Sequence, residues 1–443
     1  MLVSRSVVVC VAILVMGCGQ SPEPASTAEV PDSTAVSPAE LLEKYQQAAA
    51  AYDAGEISRF CELTEGLTKA WPDHPRLIYN LARGNALEGR SDRALDLLDR
   101  LVSMRVAIDP REDEDLRSLY DLPRFAELVD RYEAAITPTV AGEVAFRLDD
   151  PEFVPEDVAL DPTTGDFFIS SIRQRKIIRL DGQGRTTTFA GYPDIDMLAA
   201  LSMAVDSERQ RLWLTTASAP SMIDFHAEEH EGRSELLGFD LRSGELEVRV
   251  LAPSDGDQHE LNDLVVDAEG AVLVGDAPVG AIYRLSSGAQ EFETIVAPGS
   301  MFSPQGIVIV PEGGEILIAD YSRGLCRLRT GGTVQVLRSP VDAWLGGIDG
   351  LSISGPRELI AVQNGITPNR VVRIRLTDAV DGVASVEVLD LAHPEHDQPT
   401  LGEVVGDDFL YVANSLWGAW NREGNLIEGR KLTPPVILRI PLD

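Results

Sequence analysis

The sequence of 443 residues is poor in cysteine, in basic side chains and in aromatic side chains. It has four cysteines, 6% aromatic residues, and 38 lysines and arginines against 71 aspartates and glutamates. The net charge of −33 repels phosphate backbones, so we expect no nucleic-acid partner. No CxxC, HExxH, GxSxG or glycine-rich nucleotide-binding pattern occurs. These absences argue against a zinc site, a serine nucleophile elbow and a nucleotide cofactor.

A long hydrophobic run is also missing, and the apolar run near the N-terminus, Val7–Val15, is too short to span a bilayer. Arg5 precedes this run and Gly17-Cys18 follows it, which is the pattern of a bacterial lipoprotein signal peptide over residues 1–18. We therefore predict lipidation of Cys18, with ordinary secretion as the alternative. Because Gly19 is not aspartate, the pattern favours an outer-membrane anchor with the protein on the periplasmic side. The lipid is then the only membrane contact.

Residues 19–37 are rich in Pro, Ser, Thr, Ala and Glu, and they predict a disordered linker. Residues 38–136 change to a helical pattern, in which Ser37 is a candidate cap for the first helix. Gly55 and Gly89 lie 34 residues apart at matching points of two helix-turn-helix units. That spacing predicts a small tetratricopeptide-like helical domain.

So few repeats cannot bury their own apolar faces, so this helical region is expected to pack on the rest of the chain. Two roles stay open for it: a groove for a protein partner, or a spacer or brace. Cys61 lies in this region and Cys326 lies beyond it. We predict that both are buried free thiols and do not form a disulfide.

Residues 140–443 contain a phrase of three short apolar strands that recurs six times. Successive phrases begin 45, 61, 43, 44 and 52 residues apart, which predicts a mainly β fold, a six-bladed β-propeller. The two longest intervals place insertions in the second and fifth repeats. Val140–Leu148 adds one further strand, which we expect to close the ring beside Val436–Leu442.

The second residue of each phrase is expected to reach the central channel at the same end. In chain order these residues are Glu156, Leu201, Asn262, Gln305, Asp349 and Leu401. Four of the six offer an oxygen and two are leucines. Carboxylate and amide oxygens without His or Cys suit a hard cation, so Glu156, Asn262, Gln305 and Asp349 are the predicted ligands of Ca²⁺ or another divalent cation. The alternative is that these residues only form turns before a strand.

The same residues carry a family resemblance. Glu156-Asp157, Asn262-Asp263, Ser303–Gly306 (SPQG) and Ile348-Asp349-Gly350 resemble the blade openings of the regucalcin–gluconolactonase family and, more distantly, the paraoxonase/arylesterase lactonases. The resemblance covers about two thirds of the chain, Gly142–Asp443. It departs at Gln305, where the family has asparagine, and the extra methylene is expected to move that oxygen.

The resemblance implies hydrolysis of a small lactone or ester, in which the cation polarises the carbonyl. It makes Asp349 the catalytic general base, and Asp263 is expected to position the attacking water or to support the ligands. Asn262 and His226, the latter in the insertion of the second repeat, are the predicted substrate contacts. The competing interpretation is a non-catalytic scaffold for protein–protein interaction.

Three aromatic residues lie in loops near the ends of predicted blades: Phe302, Trp344 and Trp417. They are candidates for an apolar rim around the channel mouth. The alternative is that they pack between neighbouring blades.

Overall fold

The structure is a computed structural model that describes residues 36–340, 342–421 and 423–443. The predicted signal peptide with Cys18, and the predicted linker up to residue 35, lie outside the described residues. Within the described residues, no helix is both long enough and apolar enough to cross a membrane. Cys61 and Cys326 are buried free thiols, which confirms that prediction.

The chain begins with a helical region. Its elements are α1 (Pro38–Asp53), α2 (Ile57–Ala70), α3 (Pro75–Leu87), α4 (Ser91–Ser103), a 3₁₀ helix (Glu114–Leu119) and α5 (Pro123–Ala135). The Ser37 hydroxyl accepts a hydrogen bond from the Glu40 N–H, and the Glu40 carboxylate accepts one from the Ser37 N–H. This reciprocal cap fixes the start of α1. Gly55 and Gly89 end α1 and α3 with φ of +75°, a conformation that favours glycine.

The remaining chain forms six four-stranded antiparallel sheets, so the predicted six-bladed β-propeller is confirmed. The strands are β1 (Glu143–Arg147), β2 (Pro155–Leu160), β3 (Phe167–Ser171), β4 (Lys176–Leu180), β5 (Thr186–Gly191), β6 (Ala199–Asp206), β7 (Arg211–Ala217), β8 (Ser234–Asp240), β9 (Leu246–Leu251), β10 (Leu261–Val266), β11 (Val272–Asp276), β12 (Ala281–Leu285), β13 (Glu293–Val296), β14 (Pro304–Ile309), β15 (Ile316–Asp320), β16 (Gly324–Leu328), β17 (Val334–Val336), β18 (Ile348–Gly355), β19 (Glu358–Gln363), β20 (Arg370–Leu376), β21 (Val383–Leu391), β22 (Gly402–Val405), β23 (Asp408–Val412) and β24 (Val436–Pro441).

Blades 1 to 5 are formed by β2–β5, β6–β9, β10–β13, β14–β17 and β18–β21, each in chain order. Blade 6 has the order β1-β24-β23-β22, so the strand nearest the N-terminus completes the last blade. In that pairing Glu143 lies opposite Arg439, as the ring closure predicted from the sequence requires. The closure leaves no unpaired edge between the first and last blades.

Two insertions extend the connections between strands. In blade 2, residues 218–233 join β7 to β8 and contain a short helix, α6 (Ala227–His230). In blade 6, residues 413–435 join β23 to β24 and contain a 3₁₀ helix, Trp417–Ala419. The first insertion was expected from the spacing of the repeats.

In blades 1 to 5 the innermost strand pairs with its neighbour through a bulge at the same point. The pairing shifts between Pro155 and Val158, Ala200 and Met203, Leu261 and Leu264, Pro304 and Ile307, and Ile348 and Leu351. At each bulge two consecutive residues of the inner strand face one residue of its partner. A bulge of this kind interrupts the strict alternation of a strand and re-aims its side chains. The bulged pairs are the residues that the sequence marked as the channel mouth.

The helical region packs directly on the propeller, as its small size led us to expect. Trp344 and Ile366, from loops of blade 5, belong to the same buried cluster as the cores of α3, α4 and α5. Trp71 stacks on Phe302 with ring centroids 5.0 Å apart. The Arg370 guanidinium donates a 2.8 Å hydrogen bond to the Met104 carbonyl. Phe302 and Trp344 therefore contact the helical region, which neither interpretation of these aromatic residues had included.

Candidate functional site

The six positions aligned from the sequence lie on, or directly before, the innermost strands of the six blades. The four oxygen-bearing residues differ in exposure: Glu156 is buried, and Asn262, Gln305 and Asp349 are partly buried. Leu201 and Leu401, the two apolar positions, are each 5% exposed. We call Asn262, Gln305 and Asp349 the polar arc, and Leu201 and Leu401 the apolar arc. Glu156, on blade 1, lies between the apolar positions of blades 6 and 2.

The carboxyl groups of Glu156 and Asp349 share one buried electrostatic environment. Burial raises the pKa of Glu156 well above its ordinary value, and the Asp349 carboxylate raises it further. Burial also raises the pKa of Asp349, against a hydrogen bond from Asn364 that lowers it. Two carboxyl groups that oppose each other's ionisation in a buried site are stabilised by a cation between or beside them. The two predicted acidic ligands, from blades 1 and 5, are therefore electrostatically linked.

Asn262 and Gln305 contact each other within the polar arc. The Asn262 Nδ2 donates a 2.8 Å hydrogen bond to Gln305 Oε1, and Gln305 Nε2 donates one of 3.1 Å to the Ser303 hydroxyl. The Asn262 Oδ1 is buried and has no hydrogen-bond partner in the part of the chain that the structure describes. An unpaired buried acceptor is costly unless a cation or a donor reaches it. Gln305 therefore orients the Asn262 amide so that its oxygen is left for a ligand.

Asp349 is supported by residues that the sequence argument did not single out. Asn364, directly after β19, donates a hydrogen bond from Nδ2 to the Asp349 carboxylate. The Tyr321 hydroxyl in turn donates a 2.8 Å hydrogen bond to Asn364 Oδ1. These contacts join the ends of β15 and β19 to the start of β18. Because Asn364 is one residue beyond its strand, its approach to Asp349 follows from the strand pairing and not from sequence spacing.

Glu260 is a further acidic group near the mouth that sequence reasoning missed. It lies two residues before Asn262, and burial raises its pKa to about 7, with smaller contributions from the Asp276 and Asp349 carboxylates. A carboxyl group with a pKa near 7 can both accept and release a proton at neutral pH. The only sign of Glu260 in the sequence was its position just before Asn262-Asp263.

A second layer of polar side chains lies inside the channel, one residue beyond the mouth positions. Asp157, Ser202 and Asp263 line a cavity of about 370 Å³ along the innermost strands, with Glu403 on the same wall. The Asp263 Oδ2 is buried and has no hydrogen-bond partner among the described residues. Burial, then the Asp349 and Asp157 carboxylates, raise the pKa of Asp263 well above its ordinary value. Asp263 thus lines the channel one residue beyond Asn262, and its supporting role stays a prediction.

Leu201, on the apolar arc, is covered by the two insertions. Leu201 packs in one buried cluster with Met222 of the blade 2 insertion, and Phe225 and Trp417 pack against that cluster. Trp417 also donates a 2.6 Å hydrogen bond from Nε1 to Glu156 Oε2. Trp417 therefore lies at the mouth, as the apolar-rim interpretation proposed. The contact with Glu156 is a feature the sequence did not indicate.

His226 lies in the blade 2 insertion directly before α6, and its side chain is exposed. Its backbone N–H donates a 3.0 Å hydrogen bond to His230 Nδ1. No contact joins His226 to the mouth residues in the described structure. Its predicted role as a substrate contact stays a prediction.

Across residues 36–340, 342–421 and 423–443, no group of three or more His, Cys, Asp or Glu side chains lies close enough together to hold a metal ion. The predicted ligand set has only two carboxylates, Glu156 and Asp349, and takes its other oxygens from amides. The partnerless acceptor on Asn262 fits a hard cation in such a set. Gln305 fits less well, because its oxygen already accepts from Asn262.

Comparison with known proteins gives fold-level similarity. No family model matches the sequence, and no curated protein is similar to it. Solved structures that match include an aldose sugar dehydrogenase from Streptomyces coelicolor, with 14% identity, 69% of this chain and 99% of the other covered, and a TM-score of 0.46. A gluconolactonase from Xanthomonas campestris has 14% identity, coverage of 68% and 96%, and a TM-score of 0.46. The calcium-binding protein regucalcin from Agrobacterium tumefaciens has 19% identity, coverage of 67% and 93%, and a TM-score of 0.44. These matches concern the propeller fold alone.

Proposed function

We propose that this protein is a calcium-dependent hydrolase of small lactones or esters, held at the periplasmic side of the outer membrane by a lipid on Cys18. The observation that supports this most strongly is the buried Asn262 oxygen without a donor, at a position of the repeat equivalent to those of Glu156 and Asp349, whose carboxyl groups oppose each other's ionisation. A residue with only a turn-forming role would have no reason to keep a buried acceptor without a donor. The sequence phrases around these residues resemble those of lactonase propellers, which is a separate line of support.

Glu156, Asn262 and Asp349 would hold the cation, with Gln305 orienting the Asn262 amide through their hydrogen bond. When bound, Ca²⁺ would polarise the substrate carbonyl and stabilise the negative charge that develops on its oxygen. Trp417 would fix the orientation of the Glu156 carboxylate through its indole N–H.

Asp349 would act as the general base. Its carboxylate takes a proton from the attacking water while the water oxygen bonds to the carbonyl carbon. The carbonyl carbon–oxygen ester bond then breaks, and the proton passes to the departing alkoxide oxygen. The hydrogen bond from Asn364 favours the ionised form of Asp349 and fixes the direction of one carboxylate oxygen. Glu260, with a pKa of about 7, is an additional carboxyl group that could relay this proton.

The test is a screen of aliphatic lactones, sugar lactones and aryl esters with the purified protein, with added calcium and with a chelator. We expect hydrolysis of at least one class that the chelator abolishes and calcium restores. Calcium should also raise the melting temperature, as a ligand that binds only the folded state does. Absence of both hydrolysis and calcium stabilisation would overturn the proposal.

A non-catalytic scaffold is the second candidate, and one observation favours it. The Gln305 oxygen already accepts a hydrogen bond from Asn262, and the family that the sequence resembles has a shorter asparagine at the position of Gln305. In that case calcium would leave the melting temperature unchanged, and the helical region would bind a protein partner.

A further inference from the structure

We propose that the helical region positions the candidate site. Trp71, which follows α2, holds the loop that carries Gln305, and Arg370 of β20, which binds the end of α4, holds the loop that carries Asp349. The inference rests on the proposed function for its calcium measurement, but its structural part is independent of that function. Two separate lines of contact connect the helices to the polar arc, and both end at residues whose placement decides whether a cation can bind.

The first line starts at Trp71, which directly follows α2. Its ring stacks on Phe302, with an angle of 19° between the planes, and its Nε1 donates a 2.9 Å hydrogen bond to the Ser322 carbonyl. Phe302 precedes Ser303, whose hydroxyl accepts the hydrogen bond from Gln305 Nε2. The Trp71 ring therefore fixes the loop whose next residues set the position of Gln305.

The second line starts at the Met104 carbonyl, at the end of α4. It accepts a 2.8 Å hydrogen bond from Arg370, whose Nε donates one of 2.6 Å to Gln363 Oε1. Gln363 Nε2 donates to the carbonyls of Trp344 and Gly346, in the loop that leads into Asp349. The next residue, Asn364, donates to the Asp349 carboxylate itself.

Arg370 is 3% exposed, and its three partners are an amide oxygen and two backbone carbonyls. None of them is a carboxylate. A buried guanidinium without an ionic partner among the described residues is costly, so Arg370 depends on the acceptors that it has. One of its three partners belongs to the helical region, so undocking of the helices would leave this buried cation short of an acceptor. The polar arc and the docked helices are therefore expected to be energetically linked.

If docking and the polar arc are linked in this way, cation binding and helix docking must stabilise each other by the same amount. Linkage of this kind is absent from a helical region that serves only as a spacer or as a separate partner-binding groove. Cation binding at the mouth would then strengthen the docking of the helices, and docking would raise the affinity for the cation.

The experiment uses the full chain and the variants Trp71→Ala and Arg370→Met. Arg370→Lys retains one donor and serves as the conservative rescue. Two variants are matched controls: Arg375→Met, on the same strand but paired with Glu358, and Phe125→Leu, in the helical core against Tyr120. Amide hydrogen exchange is measured in chelator, so that the result does not depend on any metal. Calcium titration by calorimetry is then measured on the same five variants and the unchanged protein.

We expect exchange about tenfold faster at residues 303–306 in Trp71→Ala and at 347–350 in Arg370→Met, with a smaller change in Arg370→Lys. Both controls should leave these segments unchanged. Calcium affinity should fall by roughly 5- to 150-fold in the two test variants, the range typical of coupled sites. Unchanged exchange in both segments would overturn the inference. Absence of calcium binding by the unchanged protein would overturn the proposed function instead, and the exchange result would still decide the positioning role.

Discussion

The polar arc and the apolar arc occupy equivalent positions of one repeated structure, yet their surroundings differ. Leu201 on blade 2 and Asn262 on blade 3 lie at the same point of the same kind of bulge. Leu201 packs into a buried apolar cluster, whereas Asn262 keeps a buried oxygen without a donor. The repeat therefore decides where a side chain is placed. The identity of that side chain decides whether the blade stabilises the fold or presents a ligand.

The two arcs also differ in the segments that pack over them. The blade 2 and blade 6 insertions pack over Leu201 of the apolar arc with Met222, Phe225 and Trp417. The helical region instead contacts the loops next to the polar arc, through Phe302 and Trp344. Burying an apolar side chain needs only apolar neighbours, but holding a carboxylate ready for a ligand needs directed hydrogen bonds. We infer that the two arcs will respond in opposite ways to substitution.

The largest difference between the arcs is expected for Asp349→Asn. Asparagine keeps the shape but cannot accept a proton from water, so hydrolysis of the best lactone found in the screen should fall about 10²- to 10⁴-fold. The calcium-induced rise in melting temperature should be lost as well, because one of the two carboxylate ligands is removed. Steady-state kinetics and thermal melts measure these effects.

The matched substitution in the apolar arc is Leu201→Ala. It should lower the free energy of unfolding by about 2–5 kcal/mol, as measured by denaturant titration in chelator, and leave the calcium-induced stabilisation in place. Loss of calcium stabilisation in Leu201→Ala, or its survival in Asp349→Asn, would contradict the division into two arcs.

The next effect is on the pH dependence of stability without metal. Burial raises the pKa of Asp157 to about 8, and that of Glu260 and of Glu403 to about 7. Their ordinary values lie near 4, so between about pH 4 and pH 8 the folded protein holds protons that the unfolded chain has released. Unfolding then releases protons, and stability must fall as the pH rises through this window.

We therefore expect the melting temperature in chelator to fall by several degrees from pH 5 to pH 8. Calcium should reduce this fall, because a bound cation favours the ionised carboxylates of the mouth and channel. The measurement is a series of thermal melts with and without calcium. Repeating the series at high salt separates this effect from general repulsion by the net charge of −33, which salt screens. A flat profile in chelator would show that these carboxyl groups are not held protonated.

Much of this arrangement could be predicted from the sequence, because strand and turn signals are local. Alternating apolar residues and Asp or Gly turns marked the innermost strands, and aligning them placed Glu156 and Asp349 at one mouth. The contacts of Trp417 with Glu156 and of Trp71 with Phe302 join residues far apart in the chain. No local pattern encodes such contacts.

The roles of the individual oxygens could not be predicted for the same reason. Gln305 was expected to be a ligand, and its hydrogen bond with Asn262 depends on the relative placement of two blades. Glu260 lies just before an aligned phrase, and Asn364 lies directly after β19, where strand pairing brings it to Asp349. The ligand assignment itself stays a prediction.

The smallest expected effect separates the two roles of Gln305. Gln305→Asn introduces the residue that the family resemblance places at this position, but the shorter side chain should not reach Asn262 Nδ2, so one hydrogen bond worth about 1 kcal/mol is lost. If Gln305 orients Asn262, calcium affinity measured by calorimetry should fall about fivefold. If Gln305 is instead a misplaced ligand, the same substitution should tighten calcium binding. Gln335→Asn, at an exposed position of the same blade, is the control and should change nothing. The sign of the change therefore decides whether a cation is held by Glu156, Asn262 and Asp349 alone or by these three side chains together with Gln305.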